Sequence, residues 1–312
     1  MALCSSPCSL YGKTRTSCDD KQTGGGFSAC MRSGRSNFKK EVIKGELEQM
    51  AEKLKEQGIR DGLSSRDFVK EILIFQELDS TNRYLKELAR QEKPEGTVIL
   101  AERQSAGRGR LGRSFFSPED TGIYMSILLR PKLTLEQSVR ITSMAAVAAA
   151  RAIEQVCGIP AQIKWVNDIF LNRKKVCGIL TEAGIDYENG ILEYAVLGIG
   201  VNVGTMEFPE ELRSIATSVS NECGREISRN RLIAEILNEL DAWYPTLQDG
   251  GFLKESRVRS ILLGEEILVL DASAEGGAYP AKAVDLDEFG HLIIEKEGQR
   301  MLLNSGEVSI RF

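Results

Sequence analysis

The stretch TVILAERQSAGRGRLGR, residues 97–113, joins a continuous apolar run to a loop made almost entirely of glycine and arginine. Its first eight residues have the length and apolar content of a buried strand. In the loop, residues 107–113, three glycines permit backbone conformations closed to other residues and let main-chain N–H groups approach a ligand. Arg108, Arg110 and Arg113 can bind phosphate or carboxylate oxygens in a bidentate geometry. This stretch predicts a binding site for an anionic small molecule. An exposed basic loop or an RNA-binding arginine cluster would share the pattern, and the missing Gly-Lys-Ser/Thr ending excludes a Walker-type P-loop.

Apolar strands and amphipathic helices alternate around this stretch, over residues 72–262. ILIFQEL (72–78) predicts a strand, and the Ser-Thr-Asn that begins at Ser80 supplies N-cap residues for a helix. Thr134-Leu-Glu-Gln forms a capping box that predicts an alanine-rich helix ending near Gly158. Further strands are predicted at IYMSILLRP, AQIKWV, VCGILTEAGI and ILEYAVLGIGVNV, and a further helix from Ser228 to about Asp249. The order predicts an α/β (α+β) domain.

Short strands separated by turns follow, in residues 263–312. The segments EEILVLD, YPAKAVDLD, HLIIEKE and VSIRF alternate with glycine-containing or acidic turns. This alternation of short strands and turns predicts a small β-barrel.

The N-terminal residues differ in composition from the rest of the chain. Residues 1–40 are rich in serine, glycine and basic residues and lack apolar periodicity, which predicts a disordered extension. An organelle transit peptide has the same composition. Residues 41–71 read as a charged helix or linker, and residues 1–56 lack the two apolar-periodic helices and wing of a winged helix-turn-helix.

Charge and residue counts exclude several classes of function. The net charge is −5 although the first forty residues are basic, and an acidic body disfavours nucleic acid as the main partner. No apolar run is long enough to span a bilayer, and no secretory signal is visible. A single histidine, His291, excludes a multi-histidine metal site and is expected to be structural. Cys4, Cys8, Cys18 and Cys30 fit no close-pair zinc spacing, and the other cysteines are scattered as in a reduced cytoplasmic protein.

Three more motifs carry side chains suited to chemistry. Lys164-Trp-Val-Asn-Asp168 ends a predicted strand, where Asp168 could hold Mg²⁺ or orient an attacking amine, and where a plain Asn-Asp turn is the alternative. Lys175 enters the next strand beside Gly178, which leaves room next to it, although a lone lysine is usually a solvated surface charge. The glycines of Gly198-Ile-Gly-Val-Asn202 indicate close packing of a ligand or of another backbone, and packing of the strand against a helix is the alternative.

Together, and in this order, these motifs resemble the biotin–protein ligase family. Ser80-Thr81-Asn82 looks like the family's first biotin-contacting motif, and GRGRLGR matches its glycine–arginine loop, which orders over biotin and adenylate. KWVND matches the family's KWPND motif except that Val166 replaces proline, a change in backbone stiffness rather than in a reacting group. The resemblance covers roughly residues 72–312. It implies a mixed-sheet catalytic domain of the biotin/lipoate ligase type over residues 72–262 and an SH3-like domain over residues 263–312.

The resemblance also implies roles for particular residues. Lys175, Asp168 and Arg110 are the expected catalytic residues, and Asp168 is the expected Mg²⁺ ligand. The expected biotin-binding residues are Ser80, Thr81, Asn82, Gln104, Arg108, Gly109, Arg110, Lys175 and Gly178. The expected ATP- or adenylate-binding residues are Arg108, Arg110, Arg113, Trp165, Asn167 and Asn202.

The reaction implied is the formation of biotinyl-5′-AMP from biotin and MgATP, followed by transfer of biotin to one lysine of a carboxylase's carrier domain. A homodimer is a further possibility for this family, and sequence-specific DNA binding is not expected. A lipoate- or octanoyl-transferring enzyme is the nearest alternative, because it shares the fold and the acyl-adenylate chemistry. A biotin-responsive DNA-binding regulator and a non-catalytic biotin-binding module are alternatives of other classes.

Overall fold

The computed structural model describes residues 52–205, 207–270, 277–304 and 307–309. The predicted extension over residues 1–40, with its four cysteines, and residues 41–51 of the predicted linker lie outside these ranges.

A seven-stranded mixed sheet forms the centre of the molecule, in the order β1-β2-β3-β7-β6-β5-β4. β1 and β2 are parallel and are joined by a helix, whereas the other neighbours are antiparallel. The mixed sheet confirms the fold class expected from the sequence. The strands are β1 Glu71–Leu78, β2 Thr97–Gln104, β3 Gly122–Leu129, β4 Gln162–Lys164, β5 Asp168–Leu171, β6 Lys174–Asp186 and β7 Ile191–Asn202.

Helices lie on both faces of this sheet. Alternate residues of β2 belong to separate apolar clusters, since Leu100 packs into the main core and Ile99 into a second cluster with Leu85. Burial on both faces explains why β2 reads as an unbroken apolar run. The helices are α1 Glu56–Arg60, α2 Thr81–Arg90, α3 Val139–Cys157, α4 Val219–Cys223, α5 Arg229–Trp243 and α6 Leu253–Arg259.

The long helix α3 begins and ends as its sequence predicts. The Thr134 N–H donates to Gln137 Oε1 at 3.0 Å, and the Gln137 N–H donates to Thr134 Oγ1 at 3.4 Å, so the capping box is formed. A 3₁₀ turn at Glu136–Ser138 comes between the box and the α-helix. Gly158 ends the helix in the left-handed conformation at φ 75°. The alanines in the middle of α3 are fully buried, so their small side chains let the helix lie close to the sheet.

Helix α5 is shorter than predicted. Its N-cap Ser228 accepts a hydrogen bond from the Arg231 N–H at 3.2 Å, as expected. The helix ends at Trp243 rather than near Asp249, and a 3₁₀ turn over Tyr244–Thr246 follows. Pro245 lacks the N–H that the next helical hydrogen bond requires, which stops the α-helix there.

The C-terminal residues form a separate five-stranded sheet, in the order β11-β10-β9-β8-β12. The sheet is antiparallel throughout and is consistent with the expected SH3-like architecture. One strand, β11, was not predicted, and a two-residue turn at Glu297 and Gly298 with positive φ joins it to β10. The strands are β8 Glu266–Leu270, β9 Ala278–Leu286, β10 Leu292–Lys296, β11 Gln299–Leu303 and β12 Glu307–Ser309.

The first described residues pack against the catalytic sheet and α5. The Leu54 N–H donates to Glu102 Oε1 at 2.8 Å, and the Glu102 carboxylate also binds the Arg229 guanidinium at 2.6 Å. Both partners of this ion pair are buried, with 4% of each side chain exposed. Across the described ranges, no helix has the length and apolarity that crossing a membrane requires.

Candidate active site

A cavity opens over β2, β3, β6 and β7, beneath the glycine–arginine loop, and it brings the predicted motifs together. All but one of the predicted site residues line it. They are Ser80, Thr81, Asn82, Gln104, Arg108, Gly109, Arg110, Arg113, Trp165, Asn167, Asp168, Lys175 and Gly178.

The exception is Asn202. Its side chain is buried, its Nδ2 donates to the Thr217 carbonyl at 3.2 Å, and the residue does not line the cavity. The side chain thereby stabilises the loop that begins after β7. Asn202 lies at the end of the strand whose glycines line the cavity, and its contact with an adenylate stays a prediction.

The first end of the cavity is a cluster of uncharged polar groups. Ser80 caps α2, and the next residue, Thr81, donates its backbone N–H to Gln104 Oε1 at 2.9 Å. Ser126 Oγ lies 2.7 Å from both Thr81 Oγ1 and Asn82 Oδ1. These groups offer hydrogen-bond donors and acceptors in a largely buried setting, which suits an uncharged polar ring.

Close packing at two glycines explains their place in β7. A Cβ atom on Gly198 would lie 2.1 Å from Asn82 Oδ1, and one on Gly200 would lie 2.7 Å from the ring of Phe115. Asn82 lies in helix α2, so the contact at Gly198 is the strand-against-helix packing that the sequence left open, and the Phe115 side chain fills the space beside Gly200. Phe115, Ser126 and Tyr124 line or support the cavity without having been singled out from the sequence. A lone serine inside the apolar run IYMSILL was the available signal for Ser126.

The second end of the cavity carries a lysine and a carboxylate on neighbouring strands. Lys175 Nζ and Asp168 Oδ1 form an ion pair of 2.6 Å, with 33% and 21% of their side chains exposed. Gly178 is paired with Asp168 across the strands, and a Cβ there would lie 3.3 Å from Lys175 Nζ. As predicted, Gly178 leaves room for the lysine, which is held in the cavity.

The glycine–arginine loop, residues 107–113, forms a lid whose two ends meet. The Phe115 N–H donates to the Gly107 carbonyl at 2.9 Å, and the Gly109 N–H donates to the Arg113 carbonyl at 2.7 Å. Gly107 is needed at this junction, because a Cβ atom would lie 2.5 Å from the Phe115 carbonyl oxygen. The lid is fastened at its base while its arginines reach over the cavity.

Two of the lid arginines contact Asn167, in the turn between β4 and β5, and Glu182 of β6. Arg110 Nη1 donates to Asn167 Oδ1 at 3.1 Å, and Arg108 Nη1 lies 3.7 Å from Glu182 Oε1. Asn167 is fixed in turn, since its Nδ2 donates to the Ile179 carbonyl at 3.0 Å. Arginine guanidinium groups and Lys175 therefore face one cavity from two sides.

The KWVND motif is a turn after a strand, as the Asn-Asp turn alternative predicts, but the strand predicted for AQIKWV ends at Lys164, two residues early. β4 ends at Lys164 and β5 begins at Asp168, with a cis peptide bond between Trp165 and Val166. The Trp165 ring packs with the apolar core of the C-terminal sheet, and its Nε1 donates to the Gly290 carbonyl at 2.9 Å. Trp165 therefore lines the cavity and also joins it to the C-terminal sheet.

Asp168 supplies the one carboxylate that lines the cavity among the described residues, so it could hold Mg²⁺ only together with substrate phosphates. Its Oδ1 lies 2.6 Å from Lys175 Nζ, and among the described residues no three His, Cys, Asp or Glu side chains come together as a ligand set. His291 is buried, and its Nδ1 lies 2.9 Å from Asp287 Oδ2. This contact is the structural role expected for the histidine.

Comparison with known proteins identifies the same two regions. Residues 74–202 match the model of the biotin/lipoate A/B protein ligase family, and residues 262–311 match the biotin protein ligase C-terminal domain. The bifunctional ligase/repressor BirA of Bacillus subtilis is 37% identical over 250 residues, covering 78% of this chain and 75% of that protein. A biotin–[acetyl-CoA-carboxylase] ligase of Mycobacterium tuberculosis is 29% identical, covering 69% of this chain and 79% of that protein.

A solved structure shows the same architecture. The biotin protein ligase of Aquifex aeolicus, in complex with biotin and ATP, matches with a TM-score of 0.66 and 31% identity, over 78% of this chain and 99% of that one. Fold, cavity and sequence agree, and the chain belongs to the biotin protein ligase family.

Proposed function

We propose that this chain, an ATP-dependent biotin–protein ligase, carries out both of its half-reactions in the cavity beneath the lid. The observation that supports this most directly is the convergence of lid arginines with Lys175 and Asp168 on one cavity whose other end is uncharged and polar. Biotin has the matching asymmetry, with an uncharged ureido ring at one end and a carboxylate at the other.

The polar end of the cavity is the proposed site for the ureido ring. Ser80, Thr81, Asn82 and Gln104 supply hydroxyl and amide groups there. These groups can pair with the two N–H donors and the one carbonyl acceptor of the ring. The carboxylate of biotin then points toward Lys175, with Gly178 leaving space between the strands.

Adenylation is the proposed first step. A carboxylate oxygen of biotin attacks the α-phosphorus of ATP, a P–O bond forms, and the bond to the leaving pyrophosphate breaks. Negative charge grows on the α-phosphate oxygens in this step, and Arg108, Arg110, Arg113 and Lys175 are the groups placed to stabilise it. Asn167 positions Arg110, and Trp165 lines the nucleotide side of the cavity.

Transfer to the carrier is the proposed second step. The neutral ε-amine of the carrier lysine attacks the biotinyl carbonyl, and AMP leaves with the bonding electrons. Asp168 accepts or directs the amine proton, because its carboxylate lies beside Lys175 at this end of the cavity. The lid shields the mixed anhydride from water until the carrier arrives.

Magnesium enters this proposal as part of the substrate MgATP. Mg²⁺ is usually bound through one or two carboxylates together with substrate phosphates, and the carboxylate of Asp168 is paired with Lys175. We assign no step to a metal held by the protein.

The proposed macromolecular partner is the carboxyl-carrier domain of a biotin-dependent carboxylase. A homodimer remains a proposal drawn from the family. We propose ligase activity without sequence-specific DNA binding, although the Bacillus relative is named a ligase/repressor. The composition of residues 1–56 and the acidic balance of the remaining chain support this.

The free thiols of Cys157, Cys177 and Cys223 support a cytoplasmic, reducing location.

The experiment that tests the function is incubation of the chain with ATP, biotin and a purified carboxyl-carrier domain. We expect intact-mass spectrometry to show one biotin added to the carrier. A parallel reaction with lipoate in place of biotin tests the nearest alternative enzyme. Modification by lipoate in preference to biotin would contradict the proposal, and so would a carrier of unchanged mass.

A further inference from the structure

A carboxylate outside the predicted site, Glu182, lies on β6 below the lid. Its Oε2 accepts a hydrogen bond from Asn82 Nδ2 at 3.1 Å, and its Oε1 accepts one from Lys86 Nζ at 2.8 Å. Arg108 Nη1 of the lid lies 3.7 Å from the same Oε1. One side chain, 19% exposed, therefore touches both the proposed biotin end of the cavity and the lid.

The charge of Glu182 fixes how the amide of Asn82 is oriented. An ionised carboxylate can only accept hydrogen bonds. Asn82 must therefore turn its NH₂ group toward Glu182, where this group also donates to the Leu180 carbonyl at 3.1 Å. The amide oxygen is left to face Ser126, whose Oγ lies 2.7 Å away.

The orientation of the Asn82 amide determines which hydroxyl group donates in the contacts with Ser126 and Thr81. Ser126 has a single proton, and it must donate this proton to the amide oxygen of Asn82. Because the Ser126 proton goes to Asn82, the 2.7 Å contact between the Ser126 and Thr81 hydroxyls takes the Thr81 proton, which is then not donated to Gln104 Oε1 at the longer distance of 3.2 Å. Thr81 keeps acceptor lone pairs for a ligand, and the ureido ring of biotin carries N–H donors. The carboxylate of Glu182 thus prepares Thr81 to accept from biotin.

The same network returns to the far end of the lid. Thr81 donates its backbone N–H to Gln104 Oε1 at 2.9 Å, and Gln104 Nε2 donates to Ser117 Oγ at 3.1 Å. Ser117 Oγ donates to the Phe115 carbonyl at 2.9 Å, where the lid ends. Hydrogen bonds therefore run below the cavity from Phe115 to Glu182, which pairs with Arg108 near the start of the lid.

We propose that Glu182 is a positioning residue that couples biotin binding to the hold of the lid on the adenylate. Resting on the function proposed above, the inference adds a residue that acts through Asn82 and Arg108 and does not touch the reacting atoms. Biotin that binds at Thr81 and Asn82 favours the amide orientation in which the Asn82 NH₂ group donates to Glu182, the carboxylate that also contacts Arg108.

The test is the variant Glu182→Gln, assayed by pyrophosphate release and by retention of biotinyl-AMP. Glutamine offers a single acceptor oxygen to three donors, and its own NH₂ group lets Asn82 turn over. We expect the KM for biotin to rise at least about tenfold, the scale of losing one charge-assisted hydrogen bond. The KM for ATP should rise less than the KM for biotin, since the two hydrogen bonds of Glu182 go to Asn82 and Lys86, whereas its contact with Arg108 is the longer one at 3.7 Å. Glu182→Asp keeps the charge and should restore part of the biotin affinity.

Coupling to the lid is measured with Arg108→Gln and the double variant. If Glu182 acts through Arg108, the double variant should lose biotinyl-AMP no faster than the worse single variant, because both changes break the same contact. Rates of loss that multiply would overturn the coupling. Glu188→Gln, an exposed glutamate in the turn between β6 and β7, is the matched control and should behave as the wild-type chain.

The outcomes separate this inference from the function on which it rests. A wild-type chain that forms no biotinyl-AMP would overturn both. An active wild-type chain with an unchanged biotin KM in Glu182→Gln would overturn the inference alone. A variant with both KM values raised equally and a lowered melting temperature would show a merely structural role and would also overturn it.

Discussion

Lys175 lies in surroundings that are unusual for a lone lysine. A lone lysine is normally a solvated surface charge, but here Gly178 and Asp168 hold the ammonium group in the cavity. Replacing Lys175 with alanine should slow biotinyl-AMP formation at least about a hundredfold, the effect of removing one preorganised charge from a reaction centre. Single-turnover release of pyrophosphate measures this step.

The neighbouring residue provides a matched control for this prediction. Lys174 is exposed and begins the same strand, so Lys174→Ala removes an identical charge without entering the cavity. Its pyrophosphate release should match that of the wild-type chain. Near-normal release in Lys175→Ala would show that the lysine does not stabilise the developing phosphate charge.

Single residues also show what a sequence can and cannot predict. Gly198 and Gly200 correctly marked close packing in β7, but their neighbours Asn82 and Phe115 come from distant parts of the chain. Glu182 was missed because an isolated glutamate in a strand gives no signal until the sheet brings it below the lid. Asn202 was placed in the site because it follows the cavity glycines, although its amide is used by the Thr217 carbonyl.

At the scale of single elements, the glycine–arginine lid is held at its base and at one arginine. Its base is closed by the hydrogen bond between Phe115 and Gly107, and Arg110 is its anchor on Asn167. Arg110→Gly should leave the lid in place at its base but loosen its grip, so that biotinyl-AMP escapes at least about tenfold faster. Rapid filtration of the enzyme–adenylate complex measures the escape rate. Arg110→Lys keeps the charge but not the planar guanidinium, so its escape rate should lie between those of the wild-type chain and Arg110→Gly. An escape rate in Arg110→Gly equal to that of the wild-type chain would contradict the proposed clamp.

The start of α5 carries a cap supplied from outside the helix. Glu52 Oε2 accepts from the Arg229 N–H at 2.7 Å, and its Oε1 accepts from Ser228 Oγ at 2.9 Å. Burial of the Glu52 carboxyl would raise its pKa, but hydrogen bonds from Asn230, Ser228 and Arg229 outweigh burial and hold the pKa below its ordinary value of 4.5. A carboxyl with a lowered pKa stabilises the folded chain above its unfolded pKa, and this contribution is lost as the pH falls through the folded value.

Glu52→Gln should therefore lower the free energy of unfolding by about 1 kcal/mol at neutral pH, the usual effect of a lost cap. The difference from the wild-type chain should shrink as the pH falls below 4.5. Urea unfolding at several pH values measures it. Glu56→Gln, which removes only the surface pair with Arg60, is the control and should cost little at any pH. A pH-independent difference in Glu52→Gln would contradict this account of the cap.

Element boundaries were predicted well where local chemistry decides them and poorly where tertiary contacts do. The capping box at Thr134 and Gln137 and the left-handed Gly158 set α3 through backbone geometry alone. The run AQIKWV looked like one strand, but Trp165 leaves the catalytic sheet to pack with the C-terminal core. No local pattern reveals that the ring has a better apolar partner a hundred residues further along the chain.

At the scale of the whole molecule, the two sheets are joined at the cavity itself. Trp165 donates to the Gly290 carbonyl at 2.9 Å, and Val308 of β12 belongs to the same apolar core while also lining the cavity. The sequence predicted a separate small barrel from its short strands, but its contribution to the cavity depends on contacts between residues far apart in the chain. The C-terminal sheet therefore forms part of the cavity wall that the KWVND turn completes.

Truncation from the N-terminus tests which residues the catalytic fold requires. The contacts of the described segment begin at Glu52 and include the fully buried Ile59 and the hydrogen bond from Leu54 to Glu102. Deleting residues 1–40 should leave the melting temperature and the biotinylation rate unchanged, because these contacts are retained.

Deleting residues 1–60 should lower the free energy of unfolding by about 3 kcal/mol or more, through loss of the burial of Ile59 and of the cap on α5. It also removes a partner of the buried Glu102, which precedes Gln104 of the proposed biotin site by two residues. Differential scanning calorimetry and carrier biotinylation on the two truncations separate these effects, and a collapse of activity in the shorter deletion would show that residues 1–40 contribute to catalysis.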